Sequence, residues 1–152
     1  MNKADIKPNG MAAEMSNGQN PILAIFYCQN IPGGDEGSRQ ELESHYGESI
    51  RLFPIPCGGR LEPLHLLKAL ETFADAAFVI ACPEGACRYF EGNRRAKKRV
   101  ERTQAIIESI GLEKERLGIL LGSREKPKTL SRWVKELSEQ TSRLGVSKGR
   151  RL

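Results

Sequence analysis

The sequence predicts an α/β protein, a single domain with a four-stranded parallel sheet and helices on both faces, on three observations. Four short runs are continuously apolar: 21–28 (PILAIFYC), 49–57 (SIRLFPIPC), 76–82 (AAFVIAC) and 116–123 (RLGILLGS). Strands covered on both faces read this way, whereas half-exposed strands alternate. Each run is followed by a segment with helical spacing, 34–46, 61–74, 93–110 and 129–144, so strand and helix alternate four times. The connections are short, which favours parallel strands joined by right-handed crossovers. A chain of 152 residues buries about 70% of its unfolded surface around one core, so it needs no disulfide staple.

The elements follow in order. The first strand closes on Cys28 and leads through a glycine-bearing turn into the helix 34–46. The second closes on Cys57, with Gly58, Gly59 and Arg60 behind it, before the helix 61–74. The third closes on Cys82, and a short loop, 83–86, reaches Cys87 ahead of the helix 93–110. The fourth strand ends in no cysteine, and in the helix after it Leu130, Trp133, Val134 and Leu137 recur at the spacing of a core-facing stripe. With the first strand between the second and third, the sheet order is 2-1-3-4, a flavodoxin-like arrangement. All strand carboxyl ends then share one edge, where open α/β sheets place their chemistry. Adjacent strands lie roughly 4.8 Å apart, so Cys28, Cys57 and Cys82 come within reach of one small polynuclear site. Cys87 has only to fold back over its loop.

Composition sets the outer limits. Hydrophobic residues at 39% and charged residues at 28% are ordinary for a globular protein, so function has to come from sites. Residues 1–20 hold one isoleucine and no aromatic residue, too little apolar surface to order themselves, and are expected to form a flexible arm. The domain proper is 21–144, and 145–152 forms a basic tail with Lys148, Arg150 and Arg151. The arm lacks the apolar stretch of a secretion signal, and no later run reaches the roughly 18 residues of a membrane span. A cytoplasmic location follows as an expectation, and in that reducing setting four cysteines point to metal or redox roles rather than structural disulfides.

Net charge is +5 and uneven: Arg94, Arg95, Lys97, Lys98, Arg99 and Arg102 crowd the start of the third helix. They interleave with Ala96 and Val100, as in an amphipathic helix whose solvent face is cationic. Docking to an acidic protein surface is a second reading. Nucleic acid is a weaker third and is not expected, because no aromatic residues interleave the patch to stack bases.

The cysteines admit several chemistries. Cysteine packs as a small hydrophobe, but that accounts poorly for four of them at strand ends beside Pro56, Pro83 and glycines. A structural zinc site usually draws on two close pairs of ligands, and here Cys82 and Cys87 are the one close pair. Thiol redox chemistry would favour C-x-x-C at a helix start, which is absent, although a disulfide cycle between Cys82 and Cys87 stays open. The C-x4-C spacing also occurs in plant-type ferredoxins, whose thiolates hold a 2Fe-2S cluster. In any cluster reading Gly58 and Gly59 let the backbone approach closely and donate N–H groups to sulfur. Arg60 and Arg88 could offset thiolate charge or simply face water.

Other chemistries fit less well. His45 and His65 fall in different helices, without metal-ligand spacing. No nucleophile elbow, dinucleotide fingerprint or Walker sequence is present. Asp35, Glu36, Glu41 and Glu43 read as exposed helix surface, and no residue is assigned a catalytic role.

The strings C-G-G-R at 57–60 and C-P-E-G-A-C-R-Y-F-E-G-N at 82–93, together with the alternation around them, resemble the delta subunit of methyl-viologen-reducing hydrogenase over roughly residues 21–144. The resemblance implies an electron-transfer subunit without substrate chemistry of its own. It implies a 2Fe-2S cluster ligated by Cys28, Cys57, Cys82 and Cys87, while zinc remains the alternative metal that the cysteines themselves leave open. Its implied partners are iron-sulfur subunits and a flavin-containing, heterodisulfide-reductase-like subunit in a larger complex of the kind that bifurcates electrons. One position departs from the family pattern: three residues after the first cysteine the family has a further cysteine, and this chain has Ile31.

Overall fold

In the computed structural model, which describes residues 20–56, 62–81, 92–122 and 125–147, β1 (Leu23–Cys28) runs through the middle of the sheet with all six residues buried. β2 (Ile50–Ile55) pairs along one side of it, Leu23 opposite Ile50 and Cys28 opposite Ile55. β3 (Ala76–Ala81) pairs along the other, Leu23 opposite Ala76 and Tyr27 opposite Ile80. β4 (Leu117–Leu121) lies outside β3. Every pairing is parallel and the order is β2-β1-β3-β4, the expected 2-1-3-4. The edge strands depart from the expectation of fully buried runs. Arg51 and Pro54 of β2 are exposed, and β4 beyond Leu117 is half-buried. Pro54 has no N–H to give to a ladder and is tolerated on an edge strand for that reason.

Four helices connect and follow the strands: α1 (Glu36–Tyr46), α2 (Pro63–Thr72), α3 (Gly92–Ser109) and α4 (Leu130–Leu144). Their starts are set by local chemistry. The Asp35 carboxylate accepts from the Ser38 N–H at 3.0 Å and from its hydroxyl at 2.9 Å, filling an orphan donor of the first turn of α1. Thr129 does the same for the Arg132 N–H at the start of α4. His65 accepts the Glu62 N–H on Nδ1 at 3.2 Å and so reaches back to cap α2.

The period of two along the strands separates two cores. On one face Leu23, Ile25, Tyr27, Phe78 and Ile80 pack against Leu130, Trp133, Val134 and Leu137 of α4, with Leu42 and Tyr46 of α1 alongside. On the other, Ala24, Phe26, Ala77 and Val79 meet Leu66, Ala69 and Leu70 of α2 and Ala96, Val100 and Ile107 of α3. Trp133 is core, as its spacing predicts. Each large apolar side chain fully withdrawn from water contributes about 1.5–3 kcal/mol.

A polar clamp closes the amino edge of the sheet. Asp75, fully buried just before β3, accepts the Ile22 N–H on Oδ2 and the Ser147 N–H on Oδ1, both at 2.7 Å. Arg116, 3% exposed just before β4, donates to the carbonyls of Asp75, Leu144 and Gly145 and pairs with Glu113. A guanidinium at the carboxyl end of α4 suits the helix dipole. The start of β1, the start of β3 and the residues after α4 are thereby held to one point. Among the described residues no helix is long and apolar enough to cross a membrane.

Candidate metal centre

The expected site lies at the opposite, carboxyl edge. Cys28 is the last residue of the central strand and is 3% exposed. The strands on either side end at Ile55 and Ala81. Pro56, next in the chain after β2, has its carbonyl oxygen 3.9 Å from the Cys28 Sγ, which donates to it. The Gln29 N–H donates to the Ile55 carbonyl at 2.9 Å, carrying the β1–β2 ladder one step past Cys28. Pro56 immediately precedes Cys57, and Ala81 immediately precedes Cys82. The strand register thus brings the chain to the threshold of Cys57 on one side of Cys28 and of Cys82 on the other. Cys57, Cys82 and Cys87 themselves, with Arg60 and Arg88, lie outside the described residues. So do positions 1–19 of the expected arm and 148–152 of the expected tail.

The loop after Cys28 is tightly made. The Ile31 N–H donates to the Cys28 carbonyl at 3.2 Å, and the Gly34 N–H donates to the Ile31 carbonyl at 3.1 Å. Gly33 adopts φ of +74°, a left-handed conformation open to glycine at little cost. At Gly34 a Cβ would stand 3.1 Å from the carbonyl oxygens of Gln29 and Ile31, too close for a side chain without moving backbone. The Leu130 N–H donates to the Pro32 carbonyl at 2.9 Å, which ties this loop to the first turn of α4. Ile31 is buried and shares one apolar cluster with Cys28, Leu130 and Trp133. Where the family pattern has a thiol, this chain therefore has a core side chain.

Two neighbours of Cys28 escaped the sequence reading. Asn30, exposed to solvent, donates from Nδ2 to the Cys28 Sγ at 3.6 Å. Nothing in the sequence alone marks this pairing. Tyr27 is wholly buried, and its hydroxyl has no hydrogen-bond partner among the described residues. Burial pushes this phenol above its ordinary range, opposed by the Arg39 guanidinium and seconded by Glu36, Glu43 and Asp35, so it is neutral at physiological pH. The α1 acids expected on the surface are partly engaged: Glu43 is half-buried, pairs with Arg39 and accepts the Leu52 N–H at 3.1 Å.

A cluster of iron and sulfide needs soft thiolate ligands, limited water and donors aimed at sulfur. The described part of the site supplies one buried strand-end thiol, an apolar wall from Ile31 and Leu130, and one exposed amide donor. Among the described residues no three His, Cys, Asp or Glu side chains gather as a metal site, and three of the four expected ligands are not among them.

Comparisons with known proteins identify the family. The family model described as methyl-viologen-reducing hydrogenase, delta subunit, matches residues 23–145. The vhu iron-sulfur subunit of an F420-non-reducing hydrogenase from Methanopyrus kandleri is 30% identical over 124 residues, covering 82% of this chain and 94% of the relative. One component of the ferredoxin:CoB-CoM heterodisulfide reductase from Methanosarcina mazei is 33% identical over 132 residues, 84% of this chain but 17% of that much longer protein. A heterodisulfide reductase component from Methanosarcina acetivorans is 36% identical over 125 residues, 80% of this chain and again only 16% of the relative. The same unit thus stands almost alone in one set of relatives and is a minor part of a long chain in the other. With its sheet order, its strand-end cysteine and a match spanning β1 to the end of α4, this chain belongs to the methyl-viologen-reducing hydrogenase delta subunit family.

Proposed function

We propose that this chain is the electron-transfer subunit of a multi-subunit redox complex and binds a 2Fe-2S cluster through Cys28, Cys57, Cys82 and Cys87. The observation that carries this reading is the register at the carboxyl edge, which sets Cys28 between the strand ends that run directly into Cys57 and Cys82. The names of the relatives support it, since the hydrogenase relatives are iron-sulfur subunits and the longer relatives are heterodisulfide reductase subunits. A bound 2Fe-2S cluster supplies reversible one-electron chemistry. The chain's own part is to supply thiolates from separate strand ends, exclude water with Ile31 and the α4 packing, and donate from Asn30 to sulfur. The unit 21–144 carries the site, with 1–20 as an arm and 145–152 as a basic tail. Its partners are a flavin-containing, heterodisulfide-reductase-like subunit and other iron-sulfur subunits.

Anaerobic purification or reconstitution tests this. The protein should hold about two irons and two sulfides per chain, with visible bands that dithionite bleaches. A colourless protein with stoichiometric zinc would replace the relay by a structural metal site, and a protein that binds neither metal would leave the thiols to redox cycling or packing.

A further inference from the structure

Helix α3 is densely cationic over its first three turns. It follows β3 and therefore starts at the carboxyl edge of the sheet, the edge on which Cys28 lies. Ala96, Val100, Thr103 and Ile107 form its buried stripe. Arg95, Lys98 and Arg102 lie on the outer side, spaced three and four residues apart, and all three are exposed. No acid precedes Glu101 in this helix. Arg95, close to the amino terminus, opposes the dipole, and like charges three and four residues apart repel. Among the described residues none of the three has an ion-pair partner. The ridge is a local electrostatic cost that folding alone does not require. Leu64, 68% exposed on the first turn of α2, adds an apolar contact point at the same edge, and α2 packs beside α3.

We propose that the outer ridge of α3, formed by Arg95, Lys98 and Arg102 with Leu64 beside it, is the landing surface for a small acidic electron-carrier protein. The proposal rests on the relay reading above and gives it a point of entry. The chemistry of the ridge selects the partner. Permanent subunit interfaces are large, apolar and poor in charge, whereas encounters between electron-transfer proteins are small and polar and are steered by opposite charge. The helix has no aromatic residue to stack a base. The ridge begins at the edge of the sheet where Cys28 lies and runs up the helix from there, so a carrier that engages its Arg95 end is drawn toward that edge.

The test measures binding of a strongly acidic, oxidised plant-type ferredoxin to the full chain by isothermal titration. Ionic strength is set at about 0.05 M and about 0.3 M. The triple variant Arg95→Glu, Lys98→Glu, Arg102→Glu is compared with wild type, and a Gln triple variant removes charge without reversing it. Glutamine removes the repulsion and is a good helix former, so the Gln variant tests the ridge even where three glutamates at the same spacing weaken the helix. Affinity should fall about tenfold or more with salt and in the Glu variant, with the Gln variant between. Carbodiimide should join carboxylates of the carrier to Lys98. Equal affinity for all three proteins, or no binding by wild type at low salt, overturns the proposal. So does charge-dependent binding to a DNA duplex or to phosphatidylglycerol vesicles with the ferredoxin interaction unaffected. The titration needs no electron transfer, so a wild-type protein without iron would end the relay reading while the binding data still decide the ridge.

Discussion

Asp75→Ala should be among the most damaging single changes in the described structure, although it lies at the far edge from Cys28. The carboxylate is fully buried and receives two backbone N–H groups, Ile22 and Ser147, at 2.7 Å each. Alanine leaves both donors without their acceptor, and an unsatisfied buried donor costs about 1–3 kcal/mol. Two of them come to about 4 kcal/mol, against the 5–15 kcal/mol that separates a typical domain from its unfolded chain. For a domain of this size the melting temperature should fall by roughly 8–16 °C. Asp75→Asn keeps one acceptor but sets an amide NH2 against the other N–H, so it should fall between wild type and alanine. Urea unfolding followed by emission of the single tryptophan, Trp133, gives the free energy directly. A loss below about 1 kcal/mol for the alanine variant would refute the claim that this carboxylate holds the two ends of the domain.

Cys28→Ser should lower bound iron well below about two per chain with the circular dichroism spectrum retained, and wild-type iron content in that variant would remove Cys28 from the ligand set. Trp133 shares the apolar cluster of Cys28, so reconstitution should quench its emission through energy transfer to the visible bands; unchanged emission in a fully loaded protein would argue against a cluster at this edge. Gly34→Ala should cost about 1–3 kcal/mol, because the added Cβ presses on two backbone carbonyls, and melting curves check it. The Asp35 carboxyl is held below its ordinary value, first by the Ser38 N–H and then by the Ser38 hydroxyl. Its folded-state value lies under its unfolded one, so its contribution is present above about pH 4 and is lost as pH falls through the folded value. Asp35→Ala should therefore lower stability at neutral pH and flatten the acid limb of the pH–stability curve, and an unaltered acid limb would refute that assignment.

The topology was legible in the sequence because strands buried on both faces are written as unbroken apolar runs, and LAIFYC and AAFVIA are the two central ones. The edge strands were read as equally buried and are not. RLFPI and GILL look as apolar as their neighbours, and the number of sheet partners a strand has is a property of the assembled sheet. Cys28 could be placed at a strand end from its position alone. The Asp75 clamp could not, since an aspartate between Ala74 and Ala76 looks like any turn residue until Ile22 and Ser147, distant in sequence, converge on it. Asn30 escaped for a similar reason: its amide matters only because the turn through Ile31 and Gly34 bends it back over the sulfur.

That convergence also bears on how the unit is used by its relatives. One carboxylate marks the place where the backbone both enters and leaves the fold, and it sits at the pole away from Cys28. Chain added before Ile22 or after Ser147 would leave from that rear pole, away from Cys28. Such an arrangement suits a unit that makes up 94% of one relative and only 17% of another.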